Sequence, residues 1–287
     1  MIQTVWMDGE PSFASSVRGV AIYLDNCAII SLAKDDADLR QRFVETLNKG
    51  ADLLFSMANA VEVSGLLGYS SIAVKSFLNE LGANWYPVEM VPHTVMQREA
   101  AGLPPSRCCL AEDLLKAFFK NRTYEDVPGS ARVIDLSAGF FQLGAFVEWL
   151  APQRDHLLNQ CRNFDDVLMQ RIPLLRAKHK RNPGWLDREM PQPQFDPNKA
   201  ATYAFTGFMR DLICDSGYQL KRGDGMDFCH ALMASAFSTF AALDKQWKRR
   251  AENLPKPYRI PRIYYEPELR LMIGDIETAM ACLKDRT

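Results

Sequence analysis

The stretch Val20-Ala21-Ile22-Tyr23-Leu24-Asp25-Asn26-Cys27-Ala28-Ile29-Ile30 decides the fold. Five β-prone apolar residues end in an acid, and the chain then takes on helical character. A buried parallel strand delivers a carboxylate in this way to the C-terminal edge of a sheet, where open α/β folds keep their ligands. Downstream, residues 26–33 read as a short helix. Residues 36–48 read as a second, with Leu39, Phe43 and Leu47 at four-residue spacing and Gly50 as its stop. Ala51-Asp52-Leu53-Leu54-Phe55-Ser56 is a short buried strand. Ser56 or Asn59 caps the helix that carries Val61, Glu62, Leu66 and Leu67. A helix over 70–81 ends at Gly82, and Trp85-Tyr86-Pro87-Val88 is a third strand.

The same alternation returns near the C-terminus. Residues 226–237 predict a helix, 238–243 a strand and 245–253 a basic helix. Residues 258–265 predict a last strand, interrupted by Pro261 as suits a sheet edge, and 268–283 a closing helix. Strands separated by helices at this spacing indicate an α/β fold with a parallel sheet flanked by helices. Between 94 and 216 there is almost no strand signal. Residues 109–119, 131–150, 155–168 and 199–213 have helical apolar spacing. Pro173 should break or end the third of these, and the proline-rich 182–197 reads as a loop. The expected organisation is a discontinuous core, 18–93 and 217–287, interrupted by an all-helical insertion over 94–216 that selects substrate or mediates dimerisation. Residues 1–18 read as a lead-in.

The 287 residues, 47% hydrophobic and 24% charged, describe a globule. A net charge of −1 excludes a polycation that adheres to any nucleic acid, so RNA affinity has to come from local patches. Seven cysteines without a CxxC pair suggest free thiols in a reducing cytoplasm rather than a disulfide framework or a zinc site. The N-terminus has no basic-then-apolar start, and no run of 18 apolar residues predicts a membrane span.

Four carboxylates stand out. Asp25 and Asp244 each end a strand and precede a helix, where an N-cap is the plainer explanation for either one alone. Glu62 has Ala58, Asn59, Gly65 and Leu66 one turn away on either side, so no local cation neutralises it. Near a helix N-terminus, the dipole also favours a solvent-facing Glu there. Asp227 shares a helix face with His230, and either Asp224 or Asp227 suffices as the cap of that helix. Taken together, two strand-end acids and two acids at helix starts form an oxygen-only set suited to Mg²⁺ or Mn²⁺ rather than zinc.

In Ile22-Tyr23-Leu24-Asp25-Asn26, Ala60-Val61-Glu62-Val63, Asp227-Phe228-Cys229-His230-Ala231 and Ala242-Leu243-Asp244-Lys245, the chain resembles the PIN-domain nucleases. The motifs are short, but their order and settings agree with that family. They cover roughly 140 residues in two blocks, outside the helical insertion. The resemblance implies a PIN-like parallel sheet and one or two Mg²⁺ or Mn²⁺ ions. It also implies cleavage of single-stranded RNA, as by the ribonucleases of toxin–antitoxin modules. Carried over, Asp25, Glu62, Asp227 and Asp244 are the catalytic and metal-binding quartet, with Asn26, Asp224 and His230 accessory. Asn26 stands where the family often has Thr or Ser, and Ala242 where it often has Thr. The lost hydroxyl bears on water and metal positioning, hence on activity more than on fold.

RNA would be held beside the acids by Lys245, Lys248, Arg249 and Arg250, with Lys256, Arg259 and Arg262 beyond. Trp247 reads as a packed anchor before a stacking surface. Arg176, Lys178, His179, Lys180 and Arg181 form a second run, which as a rule is a solvated face. The expected partners are RNA (with DNA not excluded), a regulatory protein in the manner of an antitoxin, and a second copy of the chain, with no membrane. The competing expectations are a PIN-like DNA nuclease and a catalytically weak module that binds RNA or protein.

Overall fold

A computed structural model describes residues 2–7, 10–15, 17, 19–34, 36–120, 133–134, 142–255 and 261–284. Strands are β1 (Ile2–Met7), β2 (Glu10–Ser15), β3 (Val20–Leu24), β4 (Ala51–Ser56), β5 (Trp85–Val88), β6 (Val133–Ile134), β7 (Phe240–Ala242) and β8 (Arg262–Tyr264). In the first half the helices are α1 (Asn26–Lys34), α2 (Ala37–Asn48), α3 (Met57–Val63), α4 (Gly68–Leu81), α5 (Pro92–Ala100), α6 (Pro105–Cys108) and α7 (Glu112–Lys120). In the second they are α8 (Leu143–Leu150), α9 (Arg154–Arg181), α10 (Gly184–Glu189), α11 (Ala200–Cys214), α12 (Asp224–Phe237), α13 (Lys245–Glu252) and α14 (Leu269–Lys284).

Five strands form an all-parallel sheet in the order β5-β4-β3-β7-β8, so the architecture is α/β with helices flanking the sheet. The strand ending in Asp25 is its centre. Every residue of β3, β4 and β5 is buried, as expected of strands covered on both faces. Register places Leu24 opposite Ala242, which brings the carboxyl ends of β3 and β7 side by side. β8, preceded by Pro261, is the edge strand; of the segment predicted around it, residues 256–260, with Lys256 and Arg259, lie outside the described ones.

Helix starts follow the expected chemistry. Asp36 accepts from Leu39 N at 3.0 Å to open α2. Ser56 and Asn59 close a reciprocal capping box on α3. Gly50 and Gly82 take the positive φ values, +116° and +62°, that let the chain leave α2 and α4.

The structure departs from expectation in the middle and at the start. Pro173 does not end its helix: α9 runs unbroken from Arg154 to Arg181. The proline sits on the exposed side, four residues after Met169, whose side chain is 42% exposed, while Leu168 and Ile172 hold the opposite face in the core. The carbonyl left without a donor therefore faces water. The predicted loop 182–197 contains α10, anchored by buried Trp185 and Leu186. The segment 109–119 turns helical only at Glu112, because Leu110 first bridges back to Val88. Of the helix expected over 131–150, Leu143–Leu150 is helical with Gln142 at its N-cap, Val133–Ile134 is a strand, and residues 131–132 and 135–141 lie outside the described ones. The supposed lead-in folds as an antiparallel β1–β2 hairpin, on which β6 pairs with Thr4 and Val5.

One hydrophobic cluster runs from the sheet through α8, α9, α11 and α12. Among the described residues no helix is long and apolar enough to cross a membrane.

Candidate functional site

The site is built on the paired ends of β3 and β7. Asp25 donates its backbone N–H to Ala242 O at 2.9 Å, tying the two strand ends together. Its Oδ1 accepts from Ala28 N at 2.9 Å and so opens α1. Asp244 repeats the arrangement, with Oδ1 accepting from Trp247 N at 2.7 Å to cap α13. The capping explanation thus accounts for one oxygen of each acid. Among the described residues nothing hydrogen-bonds the other.

Glu62 enters from α3. Asn26 donates its Nδ2 to Glu62 Oε2, and His230 Nε2 lies 3.5 Å from the same oxygen. The latter is an ion-pair distance rather than a hydrogen bond, and Nε2 has no other partner among the described residues. The network continues around the strand ends. Nδ1 of His230 lies 2.6 Å from Tyr23 OH, Tyr23 OH donates to Ser56 Oγ at 3.2 Å, and Ser56 Oγ donates to Asn59 Oδ1 at 2.9 Å. Asn59 Nδ2 donates to Asn26 Oδ1 at 3.3 Å and closes the ring. With Tyr23 donating to Ser56, its oxygen is left to accept from Nδ1–H. That direction suits a doubly protonated imidazole. Tyr23, Ser56 and Asn59 did not stand out in the sequence as site residues; the signal of Tyr23 and Ser56 lay in strand-end positions like that of Asp25, and that of Asn59 in the capping pattern with Ser56.

Asp227 lies on the first turn of α12. Asp224, one turn earlier, is buried and accepts from Tyr218 OH at 2.6 Å and from Lys221 N at 2.5 Å. Neither acid caps α12. Gly223 is the N-cap residue, and Asp165 of α9 accepts the N–H groups of Gly223 and Gly225.

Electrostatics ties the acids together. Burial is the main force raising the Asp25 carboxyl to about 6, helped by the charges of Asp244 and Glu62 and opposed by the Ala28 N–H and by His230. Burial likewise raises Asp227 to about 7, with Asp244, Glu62 and Asp224 adding and His230 opposing. Burial works against a charge on His230, but Glu62, Asp25 and Asp227 outweigh it and hold the imidazole above its ordinary range. All three groups therefore bind protons more tightly folded than unfolded. The stability that the two carboxyls lend is full below about pH 4 and is lost as pH rises through about 6 to 7. In EDTA, urea unfolding from pH 4.5 to 7.5 should show a flatter loss of stability for Asp25→Asn/Asp227→Asn than for wild type. Equal slopes would show that neither acid carries an unfavourable charge.

The donor set fits a hard divalent cation in chemistry: oxygens throughout, mutual repulsion, and no lysine or arginine paired with any of the four among the described residues. Among those residues, however, no three His, Cys, Asp or Glu side chains are close enough to hold an ion in this conformation.

The basic residues divide. Lys245 and Arg249 are exposed and pair with no carboxylate among the described residues. Lys248 is bound to Glu268 at 2.5 Å, and Arg250 is buried, bridging Asp211 and Asp215. Trp247 is buried against Phe208 and Phe228. In the second run, Arg176 donates to Leu212 O and Tyr218 O, and Lys178 lies over Trp185. None of Cys27, Cys108, Cys109, Cys214, Cys229 and Cys282 forms a disulfide. Compared with known proteins, the chain matches no family model, no curated protein and no solved structure.

Proposed function

We propose that the chain is a metal-dependent endoribonuclease of the PIN-domain kind that cleaves single-stranded RNA, the lack of disulfides among its described cysteines suiting a reducing cytoplasm. One observation carries this reading. Asp25, Glu62, Asp227 and Asp244 come from four separate elements to one sheet edge, where Asp25 and Asp227 each feel the charges of Glu62 and Asp244. Among the described residues, their one ion-paired cation is His230. Like charges are not gathered and desolvated at no cost, and carboxyls displaced this far from their ordinary range cluster at functional sites.

The quartet would hold one or two Mg²⁺ or Mn²⁺ ions, which when bound acidify water and neutralise charge on the phosphate. The chain's own residues prepare the place. Asp25 and Asp244 each keep one oxygen on a helix start, which fixes the carboxylate and leaves its second oxygen for a ligand. Asn26 and His230 hold Glu62 from two sides, and a second proton on the imidazole would reduce the repulsion that an incoming phosphate meets.

Labelled single-stranded RNA and DNA, incubated with the full chain in Mn²⁺, Mg²⁺ or EDTA, test the reading. RNA should be cut with either metal and left intact in EDTA. Cutting of neither substrate would end the enzyme reading, and equal cutting of DNA would widen it to DNA. A second reading, an RNA-binding module that does not cut, is favoured by the open spacing of the acids and by buried Ala242 where a hydroxyl is usual.

A further inference from the structure

Resting on the single-strand RNA reading, we propose that the RNA leaves the carboxylate edge through a cleft between the end of α11 and α13. Its phosphates would lie on Lys245 and Arg249, and one base would stack on Tyr218. The cleft measures about 510 Å³ and is lined by Asp211, Asp215, Tyr218, Lys245, Arg249 and Arg250. That is within the ~300–1,000 Å³ range of ligand pockets. Three observations give it this role.

First, two lining residues connect the cleft to the elements that carry the acids. Lys245 directly follows Asp244, and Tyr218 OH donates at 2.6 Å to Asp224, one helical turn before Asp227. Second, its charge favours a polyanion. Buried Arg250 spans Asp211 and Asp215 and cancels one of those two carboxylates. Lys245 and Arg249, which line the same cleft, outnumber the one that remains. They stand four residues apart on one side of α13, so they match a run of phosphates better than a single anion. Third, the Tyr218 ring is held still. The guanidinium of Arg250 lies 4.7 Å over it, and its phenol is tethered to Asp224. Basic grooves that present a fixed aromatic ring are how proteins hold single strands without reading their sequence.

The test is fluorescence anisotropy of a labelled oligouridine of about 12 nucleotides, a length within single-strand site sizes, in EDTA so that nothing is cut. Lys245→Ala/Arg249→Ala should weaken binding about tenfold or more and flatten the dependence on salt by about 0.7 for each phosphate no longer held. Tyr218→Phe, which keeps the ring but frees its phenol end from Asp224, should lose little, while Tyr218→Leu should lose roughly fivefold or more. Wild-type affinity and salt slope in the double variant would overturn the proposal, as would equal binding by the Phe and Leu variants or no binding of RNA by wild type. The two readings fail separately. RNA held in this cleft but never cut would remove the enzyme and keep the cleft. Cutting with Kd and KM untouched by these substitutions would remove the cleft and keep the enzyme.

Discussion

Asp25→Asn and Asp244→Asn are each expected to lower RNA cleavage by roughly 100-fold or more while leaving the metal-free protein as stable as wild type, or more so. The expected loss exceeds the ~10–100-fold typical of outer-shell partners, because these carboxylates would touch the ion itself. The stability half follows from the hydrogen bonds. Asn caps a helix about as well as Asp, so Ala28 N–H and Trp247 N–H keep their acceptors. At Asp25 the substitution also removes a charge whose carboxyl has been raised from 3.8 to about 6. At neutral pH such a charge costs on the order of 3 kcal/mol. An acid serving only as a cap would show the reverse pattern, with cleavage unchanged and stability the same or slightly lower. Initial rates in Mn²⁺, set beside urea unfolding in EDTA, separate the two. Cleavage at the wild-type rate by either variant would remove that residue from the site.

The parts of this arrangement that could be read from sequence are those governed by local rules. A run of apolar β-formers ending in Asp, then a helix, appears twice, at Leu24-Asp25 and Leu243-Asp244, and both times the chain builds a parallel strand whose end presents the acid. Pro261 placed β8 at the edge for the same kind of reason, since a missing N–H is tolerated only there. What could not be read is set by partners far away in sequence. Arg250 is written as one more cation in Lys248-Arg249-Arg250, yet it is buried, because Asp211 and Asp215 arrive from α11 to meet it. His230 sits three residues after Asp227, which suggests a local pair, but its close contacts are Tyr23 on β3 and Glu62 on α3. Pro173 obeyed tertiary packing over propensity. Asp165, in the middle of a long amphipathic helix, carries no mark of its partner 58 residues on.

That partner explains a purpose for the helical segment in the middle of the chain. α12 presents Asp227 and His230, and α9, α11 and α13 hold it. Phe228, the neighbour of Asp227, is enclosed edge-on by Phe164, Phe205, Phe208 and Trp247, with ring centroids 5.3–5.8 Å away. Asp165 secures the start of the same helix. At Gly225 the two helices touch so closely that an added Cβ would lie 2.6 Å from Asp165 Oδ1, 2.7 Å from its backbone N and 2.9 Å from its Cα. Two of those three atoms are backbone and cannot swing aside. Gly225→Ala is therefore expected to force α9 and α12 apart, destabilising the fold by ~1–3 kcal/mol or more. Asp165→Ala should cost a similar amount by another route, because it takes the acceptor from two N–H groups at a helix start and leaves them buried or poorly served. Asp165→Asn, which keeps one acceptor oxygen, should lose less. Urea unfolding of the three variants gives the order directly. Because Asp227 lies two residues beyond the contact, Gly225→Ala should also reduce cleavage under conditions where it is still fully folded. Full stability in Gly225→Ala would mean that α9 does not press on α12 and that the helical segment is not what holds Asp227 in place.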